Sequence, residues 1–362
     1  MAAKKHLSRR EVLRGLSMGL LGGPLVLDSV ARAGVQSAVL ASRMGISMHR
    51  QGVRLLWTPV TTPAKVSLVK GNDRRQIVFD ALKQQQEAIL ASIGDRPILI
   101  KPNMVTTKVP LCATHVDAVR AILDFLKPHY KQQIIIGESS AFGGPTTVGF
   151  ETYGYLPLEK EYNVRLVDLN TRPWEYRYVF GNAHAPIPIR IIKAFLDPNL
   201  YVISAARMKT HDRVVTTLSI KNVVLGSPIN DGQNDKPRTH AVYQFKKETE
   251  LHYNMFHLAQ EIYPDLSVID GFEAMEGDGP VGGTPVDMRV ALASLDPLAA
   301  DKVATKLMGF DPDEILYLRT MTQAGMGQGD LARIELLGGT IEQCQRKFKP
   351  HKRMAEAYGF PA

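Results

Sequence analysis

The chain has 362 residues, of which 44% are hydrophobic and 22% are charged, and its formal net charge is +8. This composition is too apolar for a disordered chain, and the length predicts one large or two moderate globular domains. The two cysteines, Cys112 and Cys344, exclude a disulfide-stapled scaffold. They also exclude an iron–sulfur cluster held by four of the chain's own thiolates.

The N-terminal segment, residues 1–33, has the three parts of a secretory signal in order. The paired arginines Arg9 and Arg10 come first, an apolar stretch follows at residues 16–27, and a small-x-small cleavage site lies at residues 31–33. The apolar stretch is too short for a membrane span, which needs about 20 residues. The pattern predicts recognition by the twin-arginine export machinery and a periplasmic or otherwise exported mature chain. With six basic and two acidic residues, the segment carries half of the net charge of +8.

An irregular lead-in segment over residues 34–64 precedes alternating strand and helix patterns. Helices are predicted over residues 73–93, over residues 248–263, and after Thr114, whose spacing to Asp117 resembles a capping box. Short continuous apolar runs predict strands at 65–70, 97–100, 134–136, 164–169, 200–204, 266–269 and 290–293. Continuous apolar strands that alternate with helices are typical of an α/β fold. We therefore predict a mainly parallel sheet with helices on both faces, in one or two lobes, over residues 65–340. A C-terminal tail is predicted over residues 341–362.

Polar and ionisable residues directly follow four of the predicted strands. They are Lys101 and Asn103, then Glu138, then Arg207, Lys209 and His211, and finally Asp270, Glu276 and Asp278. Ligands of parallel α/β sheets bind beyond the carboxyl ends of the strands, so these residues predict a mixed-charge cleft. Any one of them alone is more typical of an ordinary turn or surface charge than of a site. The agreement among four strand ends favours a site.

Two other features favour structural interpretations, and a third argues against a nucleic-acid partner. The Gly-rich loop at residues 143–147 lacks the spacing of a phosphate-binding loop, and Pro145 removes a backbone donor, so we predict a turn. His257 and Glu261 lie one helical turn apart without a third metal ligand, which favours a core histidine. No basic stripe interleaved with aromatic residues is present, so we expect no nucleic-acid partner.

Several motifs, taken together and in order, resemble the uncharacterised family called domain of unknown function 362. They are VSLVK (66–70), IKPN (100–103), KTH (209–211), SIKN (219–222) with Gly226, His240, DG (270–271), EGDGP (276–280), Asp296-Pro297 with Asp301, and KLMGF (306–310). The resemblance covers residues 65–339. Many relatives carry a fused ferredoxin module, which implies redox chemistry for them. This chain has too few cysteines for such a module, so a redox role here requires a separate partner that supplies the electrons.

A second resemblance concerns His211, Lys221 and His240, whose order and spacing are similar to the cofactor-binding stretch of the lactate racemase family. In that family the lysine holds a nickel-pincer cofactor covalently, and the histidines serve the metal and proton transfer. The loop sequence differs here, so the cofactor is not carried over. The resemblance implies that Lys221 is a Schiff-base, cofactor-attachment or anion-binding group, with the two histidines as acid–base partners. The alternative is that Lys221 and Asn222 cap a turn.

These observations predict an exported enzyme with proton-transfer or redox chemistry on a small anionic organic substrate, either an oxidoreductase or an isomerase of the racemase type. Its cofactor is unknown, and a divalent metal or a covalently attached organic group is compatible with the residues. The alternative is a non-catalytic periplasmic binding or cofactor-maturation protein. The predicted catalytic residues are His211, Lys221 and His240. The predicted substrate- or cofactor-binding residues are Lys101, Asn103, Glu138, Lys209 and Asn222, and the candidate metal ligands are Asp270 and Glu276.

Overall fold

Strand β2 (Ile98–Pro102) shows how the apolar runs build the core of this protein. In the computed structural model, Ile98 and Ile100 face one apolar cluster, whereas Leu99 faces another on the opposite side of the strand. A strand buried on both faces needs apolar residues at every position, which explains the continuous run. Burial of each such side chain contributes about 1.5–3 kcal/mol.

The structure describes residues 57–181, 185–232, 235–239 and 249–360. The predicted export signal, most of the lead-in segment and His240 lie outside these ranges. The other strands within them are β1 (Ala64–Lys70), β3 (Ile134–Glu138), β4 (Val164–Asp168), β5 (Trp174–Phe180), β6 (Pro186–Ile192), β7 (Tyr201–His211), β8 (Val215–Thr217), β9 (Leu266–Glu276), β10 (Thr284–Ser294) and β11 (Ile334–Gly338).

The described helices alternate with these strands and cover both sheet faces. They are α1 (Arg74–Lys83), α2 (Gln86–Ile93), α3 (Val116–Leu126), α4 (Thr146–Thr152), α5 (Leu158–Glu161), α6 (Ser219–Val224), α7 (Asp235–Thr239), α8 (Thr249–Ala259), α9 (Pro297–Leu307), α10 (Leu316–Ala324), α11 (Ile341–Cys344) and α12 (Lys352–Tyr358). Helices α1, α2 and α3 pack in the cluster that contains Ile100, and α6, α8, α9 and α10 pack in the cluster that contains Leu99.

The main sheet has the strand order β11-β1-β10-β9-β7-β2-β3-β4, with β8 paired to β7. Strands β9, β7, β2, β3 and β4 are mutually parallel, whereas β10 is antiparallel to both of its neighbours. The predicted α/β class with a mainly parallel sheet is therefore confirmed. From β2 the chain steps outward to β3 and β4, and from β7 it steps the opposite way to β9. The order thus reverses between β2 and β7, which is the kind of switch point where α/β sheets form a ligand crevice.

Several local predictions differ from the structure. The helix predicted over residues 73–93 is two helices, α1 and α2. The predicted capping box at Thr114 is wrong, because His115 caps α3 by accepting from the backbone N–H of Asp117 at 3.2 Å. The Thr114 hydroxyl instead accepts from the Asn103 N–H at 2.8 Å and donates to the Ala205 carbonyl at 2.6 Å. It therefore joins the end of β2 to β7.

The C-terminal segment packs onto the domain. It contains α11 and α12, and Cys344, Phe348 and Met354 are buried within the core. Cys344 and Cys112 are both free thiols. In the part of the chain that the structure describes, no helix is long and apolar enough to cross a membrane.

Candidate functional site

The centre of the candidate site is an ion pair at the switch point between β2 and β7. Lys101, at the end of β2, places its Nζ atom 2.9 Å from each carboxylate oxygen of Glu138, at the end of β3. Both side chains are almost completely buried. The Glu138 carboxylate also accepts from the backbone N–H groups of Met104 at 3.0 Å and Ser139 at 2.7 Å. Burial lowers the pKa of Lys101, and the charge of Glu138 opposes this effect.

Two asparagines connect this pair to Lys209. The Asn222 amide oxygen accepts from Lys101 Nζ at 3.2 Å and from Asn103 Nδ2 at 3.0 Å. The Asn103 amide oxygen in turn accepts from Lys209 Nζ, which also donates to the Cys112 carbonyl at 2.6 Å. Burial lowers the pKa of Lys209 to about 7. The structure thus brings together the five residues predicted to bind substrate or cofactor, namely Lys101, Asn103, Glu138, Lys209 and Asn222.

Gly226 is required by this arrangement. A Cβ atom at this position would lie 2.2 Å from Lys101 Cε and 2.2 Å from the Asn222 carbonyl oxygen. Such distances are far below van der Waals contact, so any larger residue displaces the lysine or the end of α6. The glycine in the SIKN motif region therefore has a packing role beside the Lys101–Glu138 pair.

Lys236 is another buried lysine near the Lys101–Glu138 pair, and it follows none of the predicted strands. Its Nζ atom donates to Ser139 Oγ at 2.8 Å and to the Gly226 carbonyl at 3.0 Å. Burial is the main cause that lowers the pKa of Lys236 to about 7; the charge of Glu138 opposes it, and the charges of Lys101 and Lys221 add to it. Lys236 lies on α7, where Asp235 accepts from the backbone N–H and the guanidinium of Arg190 at 2.7 and 3.0 Å. We refer to Lys101, Lys209, Lys221 and Lys236 as the lysine cluster.

Lys221 differs from the other members because, within the described part of the chain, no hydrogen-bond or ion-pair partner holds its ammonium group. Its side chain lies on α6 and is 9% exposed. No hydrogen bond or ion pair of the Lys221 ammonium is present among the residues that the structure describes. Burial lowers the pKa of Lys221 to about 8, Asp212 opposes this, and Arg213 and Lys101 add to it.

The start of α6 is held by a residue of α9, a helix about 80 residues later in the chain. Asp301, on α9, accepts from the backbone N–H groups of Ser219 at 2.9 Å and Ile220 at 3.0 Å. Unpaired N–H groups at a helix start need such acceptors. Burial raises the pKa of Asp301 to about 7, and these two hydrogen bonds oppose the rise. Asp301 therefore positions the helix that carries Lys221 and Asn222.

His211 lies at the end of β7, opposite Val215 in the hairpin that β7 forms with β8. Its ring is buried, and Nδ1 accepts from the backbone N–H of Arg213 at 3.1 Å. In the neutral ring this leaves the proton on Nε2. The third predicted catalytic residue, His240, lies outside the described residues, so the geometry of the histidine pair is not defined.

The structure does not bring the two candidate metal ligands together. Asp270 and Glu276 lie on the same strand, six residues apart, which corresponds to roughly 20 Å at the usual strand rise. The Asp270 carboxylate lies 3.2 Å from Arg74 Nε, and the Glu276 carboxylate accepts from the Lys349 N–H at 2.9 Å. Among the described residues, no group of three or more His, Cys, Asp and Glu side chains is placed to hold a metal ion. The described residues of the site therefore do not by themselves fit a metal centre.

A cavity of about 740 Å³ lies elsewhere, and residues of β2, β3, β4 and β5 line it. Its lining includes Leu99, Ile135, Arg172 and Lys193 but no member of the lysine cluster. Size alone therefore does not identify the site, and we base the assignment on the buried charges.

Comparison with known proteins gives three findings. The model of the family described as domain of unknown function (DUF362) matches residues 98–306. A thylakoid-associated protein from Synechocystis is 29% identical over 236 residues, which is 64% of this chain and 69% of that protein. Two solved structures are also similar. One, from Thermotoga maritima, has 11% identity and a TM-score of 0.42 and covers 66% of this chain and 60% of its own. The other, the lactate racemase apoprotein of Thermoanaerobacterium thermosaccharolyticum, has 12% identity and a TM-score of 0.40 and covers 71% and 59%. The chain therefore spans about three fifths of each of these two solved proteins.

Proposed function

The chain belongs to the family described as domain of unknown function (DUF362). Because this family has no assigned function, we propose one from the geometry of the site. We propose that it is an exported enzyme in which the lysine cluster binds a small anionic organic molecule and moves a proton on it. The observation that carries the proposal is the buried positive charge of the lysine cluster, in which only Lys101 is paired with a buried carboxylate, that of Glu138, among the described residues.

The charges of the cluster call for an anion. A buried ammonium is costly unless it is paired and hydrogen bonded. Lys101 is paired with Glu138, but Lys209 donates only to a neutral amide and a backbone carbonyl among the described residues. Lys221 has no partner there. A carboxylate or phosphate supplies oxygens for exactly such donors, and its charge offsets the repulsion among the lysines.

The same lysines suit proton transfer near neutral pH. A general base works best when its pKa lies near the working pH. Burial brings the pKa of Lys221 to about 8 and that of Lys209 to about 7, so each exchanges a proton in this range. His211 accepts from a backbone N–H at Nδ1, so the neutral ring carries its proton on Nε2, and we propose this ring as the acid.

Export is proposed from the sequence and supported by one relative. The N-terminal segment has the pattern of a twin-arginine signal, and the Synechocystis relative is described as thylakoid-associated. A location outside the cytoplasm or at a membrane agrees with both. For redox chemistry, a separate protein has to supply the electrons, because Cys112 and Cys344 are the only thiols in the chain.

The alternative is a binding or cofactor-maturation protein that holds an anion without converting it. The observation that favours it is the number of bonds that already fix Lys101, Asn103 and Lys209 in place. A preorganised anion site of this kind needs no catalytic group. The two proposals differ in the role of His211.

The test uses the mature chain purified from the periplasm and a panel of pyruvate, lactate and inorganic phosphate. Calorimetry measures binding, and proton NMR in D2O follows exchange of the carbon-bound protons of pyruvate and lactate. We expect binding that Lys209→Met weakens at least tenfold and that the exposed-site control Lys193→Met leaves unchanged. The enzyme hypothesis predicts that His211→Ala abolishes exchange while binding survives.

Two other outcomes decide against it. Binding without exchange, weakened by His211→Ala, selects the binding protein. Absence of binding to all three anions by a protein with a cooperative thermal transition refutes the anion site itself.

A further inference from the structure

The four lysines of the cluster differ in what their Nζ atoms contact. Lys101 donates to Glu138, to a backbone carbonyl and to the Asn222 amide. Lys209 and Lys236 each donate to a side-chain oxygen and to a backbone carbonyl. For Lys221, no such bond exists within the described residues. Three lysines are therefore held in place by hydrogen bonds, and within the described residues Lys221 is not.

A lysine acts as a nucleophile only when its nitrogen has lost a proton and its lone pair is free. An ammonium that donates several hydrogen bonds meets neither condition. Lys209 and Lys236 lose a proton at least as readily, but their nitrogens are engaged by hydrogen-bond acceptors. Within the described residues no acceptor engages the Lys221 nitrogen, and part of its side chain reaches solvent. A neighbouring cation favours the neutral amine, and this is a known way to activate a lysine. Burial is the main cause that lowers the pKa of Lys221 to about 8, Asp212 opposes it, and the cations Arg213 and Lys101 add to it.

The backbone around Lys221 is also held in place. Asp301 fixes the first turn of α6, and Asn222, the next residue, donates to the Lys101 carbonyl at 3.0 Å and to Ser204 Oγ at 3.0 Å. A nucleophile on a fixed helix beside fixed ammonium groups is arranged for a substrate that carries both an electrophilic carbon and an anionic group.

We propose that Lys221 forms a Schiff base with small 2-oxo acids, whose carboxylate is bound by the neighbouring lysines. The inference rests on the proposed function, because it uses the same anion site, and it adds the substrate class. In the step, the Lys221 nitrogen attacks the carbonyl carbon and a C–N bond forms. The carbonyl oxygen leaves as water with two protons, and a C=N bond remains. No oxidant or reductant is needed.

This adduct explains how the site moves a proton. The protonated imine withdraws electrons from the adjacent carbon, so a C–H proton there becomes more acidic. A neighbouring base removes that proton to give an enamine, and its return from solvent exchanges hydrogen for deuterium in D2O. The pyruvate methyl group is the direct reporter of this sequence.

The test traps the adduct by reduction. The purified protein is incubated with pyruvate and sodium cyanoborohydride, digested, and mapped by peptide mass spectrometry. We expect saturable addition of one reduced pyruvate at Lys221, suppressed by excess lactate, which has no ketone. Addition at the exposed Lys193 measures background in the same digest. The Lys221→Arg variant keeps a cation but cannot form the imine, so its labelling at residue 221 and its methyl exchange fall to background.

The outcomes separate the two proposals. If pyruvate and lactate bind in calorimetry and labelling of Lys221 does not exceed that of Lys193, the Schiff base is refuted and the anion site stands. If neither acid binds, both proposals fail. A different group already attached to Lys221 in the purified protein also overturns the Schiff base. Methyl exchange that persists in Lys221→Arg at the wild-type rate does the same.

Discussion

Replacement of Lys221 by methionine is expected to stabilise the fold near neutral pH, although it removes a proposed functional group. In the folded protein the pKa of Lys221 falls from 10.5 to about 8, chiefly through burial. Each pKa unit corresponds to about 1.4 kcal/mol, so the charged side chain destabilises the fold by up to about 3 kcal/mol. Methionine has a similar length and no charge to bury, and we expect a gain of about 1–3 kcal/mol because the site is not fully closed to water.

The destabilisation caused by Lys221 is expected to depend on pH, and this dependence is a second test. Because the folded pKa lies below the unfolded one, the unfolded chain binds this proton more tightly between pH 10.5 and pH 8. The cost of Lys221 is therefore complete below about pH 8 and disappears as the pH rises towards 10.5. The advantage of Lys221→Met shrinks over the same window.

The assay is urea unfolding of the wild type, Lys221→Met and the control Lys193→Met at pH 7, 8, 9 and 10. Lys193 is 64% exposed, and its variant is expected to stay within about 0.5 kcal/mol of the wild type. Equal m-values are required for the comparison. A variant that is less stable than the wild type at pH 7, or a gain that does not decline towards pH 10, would show that the Lys221 ammonium is not destabilising and would refute the argument.

Two further predictions concern the same cluster. Anion binding is expected to take up protons between pH 7 and 8, because Lys209 and Lys236 each have a pKa of about 7 that rises when an anion pairs with them. Phosphate titrations in buffers of different ionisation enthalpy measure this uptake, and affinity that does not fall from pH 7 to 9 contradicts it. Gly226→Ala is expected to cost about 1–3 kcal/mol and to weaken phosphate binding, because the added methyl group displaces Lys101. Urea unfolding and calorimetry decide this, and wild-type values in both would show that the contact relaxes freely.

The strand ends were predictable because buried parallel strands have a distinctive sequence pattern. Ile98–Pro102 and Ile134–Glu138 are continuous apolar runs that end in Lys101 and Glu138, and parallel strands bring such ends to one edge. The neighbour order of the strands was not predictable. Pairing of β2 with β7, which creates the switch point, depends on contacts between residues far apart in the chain.

The remaining site residues escaped prediction for physical reasons. Lys236 follows no strand and enters the cluster only because Arg190 anchors Asp235 from β6. Asp301 has the sequence context of an ordinary helix charge, yet its acceptors serve the start of another helix. Asp270 and Glu276 both follow the short apolar run at residues 266–269 in the sequence. Pairing with β7 and β10 extends that run into an eleven-residue strand and separates the two carboxylates.

The buried positive charge of the lysine cluster affects both the stability of the fold and the binding of an anion. The four buried lysines of the cluster destabilise the protein when no anion is bound, so the fold depends on its two apolar clusters to tolerate them. An anion that binds only the folded state returns stability, by about 2.7 kcal/mol at a concentration 100 times its Kd. A variant that gains stability without ligand should therefore lose the stabilisation that the ligand provides. That inverse relation is expected for Lys221→Met but not for Lys193→Met, and it distinguishes a ligand site from lysines that are merely buried.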